Sequence, residues 1–186
     1  PGIASVTVAT DDARIADHAA GFGAAVAMTA PDCANGTERV AEAAAGIAAD
    51  VYVNLQGDAP LTPPWFVTAL VAAMADPAIS VATPVVTADG TARAHLLADR
   101  AAGRVGATTA VTDRAGRALY FSKEVLPFGP SGTPVLHHVG VYAYRPAALA
   151  AYRALPAGPL EVSEGLEQLR FLENGIPVHC VSVEAR

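Results

Sequence analysis

The residues best suited to chemistry come directly after a predicted buried strand, in the segment Asn54-Leu55-Gln56-Gly57-Asp58-Ala59-Pro60. In an open α/β sheet, ligands bind beyond the carboxyl ends of the strands, which is where Asp58 falls. Its carboxylate is the type of ligand that Mg²⁺ takes together with the phosphates of a substrate. Alternatively, Asp58 begins a turn before Pro60 and caps the next helix. The spacing alone leaves both interpretations open.

A second polar segment, Asn35-Gly36-Thr37-Glu38-Arg39, joins a loop to the start of a predicted helix. The free backbone N–H groups and the dipole of such a helix start suit an anion or the polar edge of a base. The guanidinium of Arg39 adds donors for a carboxylate or a phosphate. The alternative is an ordinary helix cap, with Thr37 as the capping residue and Arg39 in solvent.

Two further patterns place polar groups together on one face of an element. In a predicted helix over residues 161–173, Glu164, Glu167 and Gln168 fall at i, i+3 and i+4, a type of face that is most often only solvated. In a predicted strand over residues 138–144, alternate residues share a face. The polar aromatic face of that strand requires a partner, unless the tyrosines bury their rings and keep their hydroxyl groups in water. That face carries His138, Gly140, Tyr142 and Tyr144, and the other face carries Val139, Val141 and Ala143.

The composition excludes several classes of protein. The chain has 12 Lys and Arg against 18 Asp and Glu, a net charge of -6, and Lys123 is its single lysine. Because phosphate binding by nucleic-acid proteins needs clustered basic residues, we expect no nucleic-acid surface. We expect no polybasic membrane anchor for the same reason, and no apolar run reaches the roughly 20 residues that span a bilayer.

The two cysteines and the first residues indicate the cytoplasm. Cys33 and Cys180 are far apart in sequence and fit neither a disulfide nor a zinc site, so we expect reduced thiols. The first residues lack the basic and then apolar pattern of an export signal, so we expect no signal peptide. The sequence also lacks a Gly-x-Ser-x-Gly nucleophile motif, a Gly-x-Gly-x-x-Gly motif after a strand, and a metal-ligand spacing among its five histidines.

The elements that must position these residues alternate between strand and helix in the first half of the chain. This alternation favours a three-layer α/β fold with a mostly parallel sheet, and 186 residues suit a single domain over 1–186. The second half predicts an antiparallel hairpin turning at 113–116 and a mobile loop over 126–136. The predicted strands cover 3–10, 25–28, 51–55, 79–86, 107–112, 117–122, 138–144 and 178–183. The predicted helices follow Asp11-Asp12, cover 38–49 and 161–173, and extend from Pro63-Pro64 to about Ala75.

Six segments, taken in order, carry a resemblance to a known family: VATDDARIADHAAGFGAAVAMT, NGTERVAE, VNLQGDAP, ALYFSKEVLPF, HHVGVYAYR and LEQLRFLENG. Together they span nearly the whole chain and resemble the CMP-Kdo synthetases, the 3-deoxy-manno-octulosonate cytidylyltransferases. The resemblance implies a nucleotide-diphospho-sugar transferase-like fold and a cytosolic homodimer. It further implies an enzyme of lipopolysaccharide biosynthesis that uses Mg²⁺ and joins CTP to Kdo or a related acidic 2-keto-3-deoxy sugar, with loss of pyrophosphate.

The resemblance also implies roles for individual residues. Asp58 becomes the Mg²⁺ ligand and a catalytic residue, and Gln56 lies near the sugar. Ser122 and Lys123 match a Ser-Arg or Ser-Lys pair that faces the sugar carboxylate, and Lys123 is the second catalytic residue. The implied nucleotide loop comprises Asn35, Gly36, Thr37 and Arg39, and the implied pocket for the acidic sugar comprises His138, Tyr142, Glu167 and Gln168.

Departures from the family pattern lead to two expectations. The pattern has a phosphate-gripping loop ahead of the position of residue 1, and an aspartate that is a second Mg²⁺ ligand beyond Val183. Its Gln-Gly-Asp-Glu-Pro reads Gln56-Gly57-Asp58-Ala59-Pro60 here, and its Asn-Pro-Asn-x-Val-Lys stretch is replaced around residues 104–109. We therefore expect either part of a longer cytidylyltransferase or a degenerate homologue that binds a nucleotide or sugar acid without turnover.

Overall fold

The structure, a computed structural model, describes residues 2–130 and 133–185. Within them, strands and helices alternate along most of the chain. The strands are β1 (Thr7–Thr10), β2 (Ala25–Met28), β3 (Tyr52–Leu55), β4 (Val81–Ala88), β5 (Thr108–Thr112), β6 (Ala118–Ser122), β7 (Val135–His138), β8 (Val141–Tyr144) and β9 (Val178–Ser182). The helices are α1 (Ala13–Gly21), α2 (Gly36–Ala44), α3 (Pro64–Ala73), α4 (Gly90–Ala101), α5 (Pro146–Ala154), α6 (Pro159–Glu164) and α7 (Leu169–Glu173).

The strands form two sheets. β1 and β2 pair in parallel as a two-stranded sheet, and the other strands form one mixed sheet. In the larger sheet, β8 lies between β3 and β4 and pairs antiparallel with both, while β9 pairs in parallel with the opposite edge of β4. β7 pairs antiparallel with β4 next to β8. On its other side β7 pairs antiparallel with β5, and β5 pairs antiparallel with β6. The predicted α/β class, the mixed sheet and the antiparallel hairpin are confirmed.

The prediction of a mostly parallel sheet is wrong. Within the described residues, parallel pairing joins only β1 to β2 and β4 to β9. The strand–helix alternation correctly indicates that β3 and β4 have the same direction, but β8 from the second half of the chain inserts between them. A local strand–helix–strand pattern constrains the direction of a strand, whereas its neighbour can come from a distant part of the chain.

Helices cover both faces of the larger sheet, which gives the three predicted layers. On one face, Leu70 of α3 packs with Val141 and Ala143 of β8. On the other face, Tyr142 and Tyr144 of the same strand pack with side chains from α2, α5 and α7. The predicted alternation of the two faces along this strand is therefore confirmed. No helix in the described part of the chain is long and apolar enough to cross a bilayer.

The predicted strand over 138–144 is divided in two. Val139 and Gly140 separate β7 from β8, and the backbone N–H of Val141 donates to the carbonyl of Val139 at 2.7 Å. His138 therefore ends one strand while Tyr142 lies in the next. The two rings still lie close together, with centroids 5.5 Å apart.

The predicted helix over 161–173 is also divided, at Gly165. This glycine has a φ of 62° and ends α6, and the next helix begins only at Leu169. A left-handed residue stops helical hydrogen bonding, and glycine adopts that conformation at little cost. As a result, Glu164, Glu167 and Gln168 do not share a helical face, and each binds a different element.

Other predicted boundaries differ in smaller ways. The first strand begins at Thr7 rather than residue 3, and α4 and α5 were not predicted. The predicted loop over 126–136 ends at β7, and Ser131 and Gly132 within it lie outside the described residues. Asp12 caps α1, as predicted, by accepting from the backbone N–H of Arg14. Cys33 and Cys180 are unpaired, as predicted.

Candidate active site

A cleft of about 540 Å³ opens where the carboxyl end of β3 meets the start of α2. A concave site of this size suits a small-molecule ligand. Predicted residues from distant parts of the sequence meet in it. The predicted residues that line the cleft are Asn35, Gly36, Gln56, His138, Tyr142, Glu167 and Gln168.

Reciprocal capping fixes the start of α2. The side chain of Asn35 accepts from the backbone N–H of Glu38 at 3.0 Å, and the Glu38 carboxylate accepts from the backbone N–H of Ala34 at 2.8 Å. These two bonds satisfy donors that an uncapped helix would leave free. The capping role considered for Thr37 therefore belongs to Asn35, and α2 begins two residues earlier than predicted.

Glu167 joins this helix start to the segment after β3. One of its carboxylate oxygens accepts from the backbone N–H of Thr37 at 2.8 Å, and the other accepts from the side-chain amide of Gln56 at 2.9 Å. Burial raises the pKa of Glu167, although both hydrogen bonds oppose that shift. The predicted anion position at the start of α2 is thus occupied, at Thr37, by a carboxylate of the protein itself.

The polar aromatic face of β8 is fully partnered within the protein. The hydroxyl of Tyr142 donates to Oε1 of Gln168 at 3.1 Å, and the hydroxyl of Tyr144 shares a 2.7 Å hydrogen bond with that of Thr37. The alternative that these hydroxyl groups stay in water is wrong, because both tyrosines are buried. The bond from Tyr142 leaves Nε2 of Gln168 buried and without a partner among the described residues. Gln168 therefore offers an unused amide donor at the cleft.

His138 is buried beside this face. Its ring packs edge-on against Phe121 with centroids 5.0 Å apart, and its Nε2 lies 2.9 Å from Oγ1 of Thr83. Burial, with a smaller contribution from His137, lowers the pKa of His138 to about 3. The imidazole is therefore neutral at physiological pH.

The buried His138 predicts a loss of stability in acid. Between about pH 3 and pH 6.5 the unfolded chain binds a proton at His138 that the folded protein does not, so acidification favours unfolding. From pH 7 to 4.5, we expect wild type to lose about 2–3 kcal/mol more unfolding free energy than the neutral variant His138→Gln. Urea denaturation at both pH values measures this difference. The exposed His18 gives the control, because His18→Gln should follow wild type, and parallel loss in all three proteins would contradict the prediction.

Five predicted residues do not line the cleft, namely Thr37, Arg39, Asp58, Ser122 and Lys123. Arg39 contacts Asp11 at 3.0 Å and Thr29 at 2.6 Å, so it joins α2 to the ends of β1 and β2. It lies neither at the cleft wall nor free in solvent. Ser122 donates to Glu164 at 2.7 Å, and the backbone N–H of Lys123 donates to the same carboxylate at 2.9 Å.

The ammonium group of Lys123 lies at the rim of the cleft. Its Nζ is 2.8 Å from the position that a Cβ on Gly165 would occupy, and Gly165 lines the cleft. The Ser122 hydroxyl, in contrast, is already used to hold Glu164. Of this predicted pair, Lys123 is the member placed to reach a ligand.

Asp58 is exposed, in the turn that follows β3. The carbonyl of Gln56 accepts from the backbone N–H of Ala59 at 3.1 Å and closes this turn. Asp58 does not cap the next helix, because the N-cap of α3 is Pro63. No hydrogen bond to the Asp58 carboxylate is found within the described ranges. The carboxylate is therefore available at the strand end, as the Mg²⁺ interpretation required, and the helix-cap interpretation is wrong.

Sequence reasoning missed the charged group beneath the cleft. The guanidinium of Arg170 makes two 2.7 Å bonds to Glu161 and one 2.9 Å bond to Glu38, and it lies 4.1 Å above the ring of Tyr152. The Tyr152 hydroxyl in turn accepts from the side-chain amide of Asn35 at 3.0 Å. An arginine flanked by Leu169, Phe171 and Leu172 was the available signal, because a guanidinium in an apolar stretch requires buried carboxylates.

Known proteins resemble this chain over nearly its whole length. The sequence profile of the cytidylyltransferase family matches residues 1–179. A 3-deoxy-manno-octulosonate cytidylyltransferase of Maricaulis maris (strain MCS10) is 44% identical over 192 residues, which cover 100% of this chain and 74% of that protein. The protein of the same name from Chlamydia abortus (strain DSM 27085 / S26/3) is 43% identical over 185 residues, 97% of this chain and 70% of that protein.

A solved structure has a fold similar to that of this chain. It is described as CMP:2-keto-3-deoxy-manno-octonic acid synthetase complexed with CTP, and it matches 99% of this chain and 74% of its own with a TM-score of 0.87 and 36% identity. This match confirms the predicted nucleotide-diphospho-sugar transferase-like fold. The chain belongs to the 3-deoxy-manno-octulosonate cytidylyltransferase family of nucleotidyltransferases.

Proposed function

We propose that this protein transfers the cytidylyl group of CTP to Kdo or a related acidic 2-keto-3-deoxy sugar and releases pyrophosphate. The observation that carries the proposal is the position of Glu167, which holds the start of α2 and Gln56 in one cleft. The two predicted binding regions thereby share a wall, as a transfer between two substrates requires. We further propose that the protein acts as a single-domain homodimer in the cytoplasm and supplies lipopolysaccharide biosynthesis.

The proposed reaction is an in-line displacement at phosphorus. The anomeric hydroxyl of the sugar attacks the α-phosphorus of CTP, an oxygen–phosphorus bond forms, pyrophosphate leaves, and the hydroxyl proton passes to solvent. Such a reaction needs positioning and charge neutralisation rather than a covalent intermediate. We assign positioning of the nucleotide to the loop at Asn35 and Gly36. Gln56, His138 and Gln168 would position the sugar, with Lys123 facing its carboxylate.

Asp58 fits a Mg²⁺ ion that is shared with the nucleotide. No cluster of three or more His, Cys, Asp or Glu side chains placed for a metal is found in the described parts of the chain, so these residues form no closed metal cage. Mg²⁺ commonly takes one or two carboxylates and completes its octahedron with phosphate oxygens and water. The exposed carboxylate of Asp58 suits that arrangement. The ion would supply positive charge to the phosphates.

A pyrophosphate-release assay tests the proposed function. The purified full-length protein is incubated with CTP, Mg²⁺ and a panel of 2-keto-3-deoxy sugar acids, with each acceptor omitted in turn. Release that depends on both CTP and one sugar acid is the expected result. Silence with every acceptor would refute the activity, and calorimetric binding of CTP or a sugar acid without turnover would instead identify a degenerate binding protein.

Gly36 lies close to the side chain of Gln56, so we expect that Gly36→Ala lowers activity. A Cβ at Gly36 would lie 3.0 Å from Nε2 of Gln56 and 3.4 Å from Nδ2 of Asn54. In Gly36→Ala the Gln56 amide must move, which weakens its bond to Glu167. Because a hydrogen bond to a charged group contributes about 1.5–3 kcal/mol, we expect kcat/KM to fall roughly 10- to 100-fold.

Gly46→Ala is the matched control for this substitution. Gly46 follows the same helix, and its nearest contact, 3.9 Å from the carbonyl of Ala43, leaves room for a methyl group. Activity of Gly46→Ala should therefore equal that of wild type. Equal activity of Gly36→Ala and Gly46→Ala would show that the position of the Gln56 amide is unimportant.

A further inference from the structure

A fully buried threonine lies where β7 and β8 separate. Thr83 is in β4, and its hydroxyl oxygen lies 2.8 Å from the carbonyl oxygen of Val141 and 2.9 Å from Nε2 of His138. The carbonyl oxygen of Val139 is also near, at 3.3 Å. One hydroxyl group therefore contacts both sides of the break and the imidazole that lines the cleft.

The number of protons on these atoms determines which ring nitrogen of His138 carries hydrogen. A hydroxyl has one proton to donate, and a carbonyl oxygen can only accept. The 2.8 Å contact with Val141 therefore requires the Thr83 proton. Thr83 can then only accept from His138, so Nε2 carries the imidazole hydrogen. In the other tautomer Nε2 is an acceptor and would take the Thr83 proton. The hydroxyl oxygen of Thr83 and the carbonyl oxygen of Val141 would then face each other, buried and without a proton between them.

We propose that Thr83 is a positioning residue, which fixes His138 as the Nε2–H tautomer so that Nδ1 offers the cleft a hydrogen-bond acceptor. No partner of Nδ1 is found in the described parts of the chain. A neutral acceptor suits a hydroxyl donor of the ligand and disfavours a carboxylate. This specificity rests on the proposed function, since the acidic sugar carries both kinds of group.

The neighbouring groups support the same orientation of the ligand. Tyr142 donates to Oε1 of Gln168 and so leaves the Gln168 amide N–H as a donor. The cleft therefore has an acceptor at His138 and a donor at Gln168, and Tyr142 contacts both, with its ring against His138 and its hydroxyl on Gln168. A sugar hydroxyl is expected at His138, and the sugar carboxylate is expected toward donors such as Gln168 and Lys123.

The test compares Thr83→Val with Thr83→Ser in the full-length protein. Thr83→Val removes the acceptor for Nε2–H, and a buried N–H without a partner is unfavourable, so the tautomer should shift toward Nδ1–H. ¹⁵N NMR of protein labelled at histidine distinguishes protonated from unprotonated ring nitrogens. We expect Thr83→Val also to raise the KM for the sugar acid roughly tenfold, with the KM for CTP unchanged. Thr83→Ser should retain both wild-type properties.

Thr109→Val is the matched control for loss of a buried hydroxyl. Thr109 in β5 donates to the carbonyl of Glu124 at 2.6 Å, and within the described residues no hydrogen bond joins it to His138. Its variant should keep the Nε2–H tautomer. An unchanged tautomer in Thr83→Val, or a shifted tautomer with an unchanged KM for the sugar acid, would overturn the proposal. Absence of turnover in wild type would refute the proposed function instead, while the NMR result would still decide the tautomer.

Discussion

Replacement of Arg170 by methionine is expected to lower the free energy of unfolding by about 3–5 kcal/mol, the usual cost of removing one partner from a buried ion pair. The Arg170 side chain is 4% exposed and that of its main partner, Glu161, is 9% exposed. Methionine fills similar space but leaves the Glu161 carboxylate buried without its counter-charge. The bonds to Glu161 are the main cause that raises the pKa of Arg170, although burial opposes the shift.

The same substitution should loosen the start of α2. Arg170 also bonds Glu38, whose carboxylate completes the reciprocal cap with Asn35. Loss of that restraint reaches the cleft wall, so we expect weaker substrate binding in the fraction that stays folded. Urea denaturation at pH 7 measures the change in stability, and titration with CTP measures the change at the cleft.

A double variant and an exposed ion pair provide controls for Arg170. In Arg170→Met with Glu161→Gln, no buried charge is left at that pair, so part of the lost stability should return. Arg14 pairs with Asp12 on the surface, and Arg14→Met should change stability very little. A similar small change in Arg170→Met would show that the buried network does not stabilise the protein.

The fold was largely predictable where the pattern is local. The turn at Asp113 to Gly116 and the hairpin around it were found because Gly116 supplies the positive φ that the turn requires. The position of β8 between β3 and β4 was not, because its pairs lie about 90 positions away in β3 and about 60 positions away in β4, and pairing over such distances leaves no local periodicity. Likewise, Gly165 was hidden within a helical pattern of apolar residues that continues past it.

The site was predictable as a set of residues but not as a set of contacts. The family resemblance implied Asn35 for the nucleotide and Gln56, His138 and Gln168 for the sugar, and the structure brings all four to one cleft. The sequence could not show that the N–H of Thr37 is bonded to Glu167, or that Ser122 and Arg39 are held by carboxylates. These pairings depend on which charged side chains become neighbours after packing, and spacing along the chain does not encode that.

Asp58→Asn should lower kcat roughly 10²- to 10³-fold, the scale of losing one electrostatic contact in a transition state. Asparagine preserves the shape of the side chain but removes the negative charge, which a Mg²⁺ site strongly prefers. Stability should not change, because Asp58 is exposed and no hydrogen bond to its carboxylate is found within the described residues. Pyrophosphate release measured over a range of Mg²⁺ concentrations should show a weaker dependence that high Mg²⁺ partly restores.

Asp50→Asn separates this metal role from a general effect of surface charge. Asp50 is also exposed, but it precedes β3, so it lies at the opposite end of the strand that Asp58 follows. Both variants change the net charge equally, and only the change at the carboxyl end of the strand should affect turnover. Equal activity in the two variants would refute Asp58 as the Mg²⁺ ligand. A loss in Asp58→Asn that is independent of Mg²⁺ would assign the carboxylate to the substrate instead.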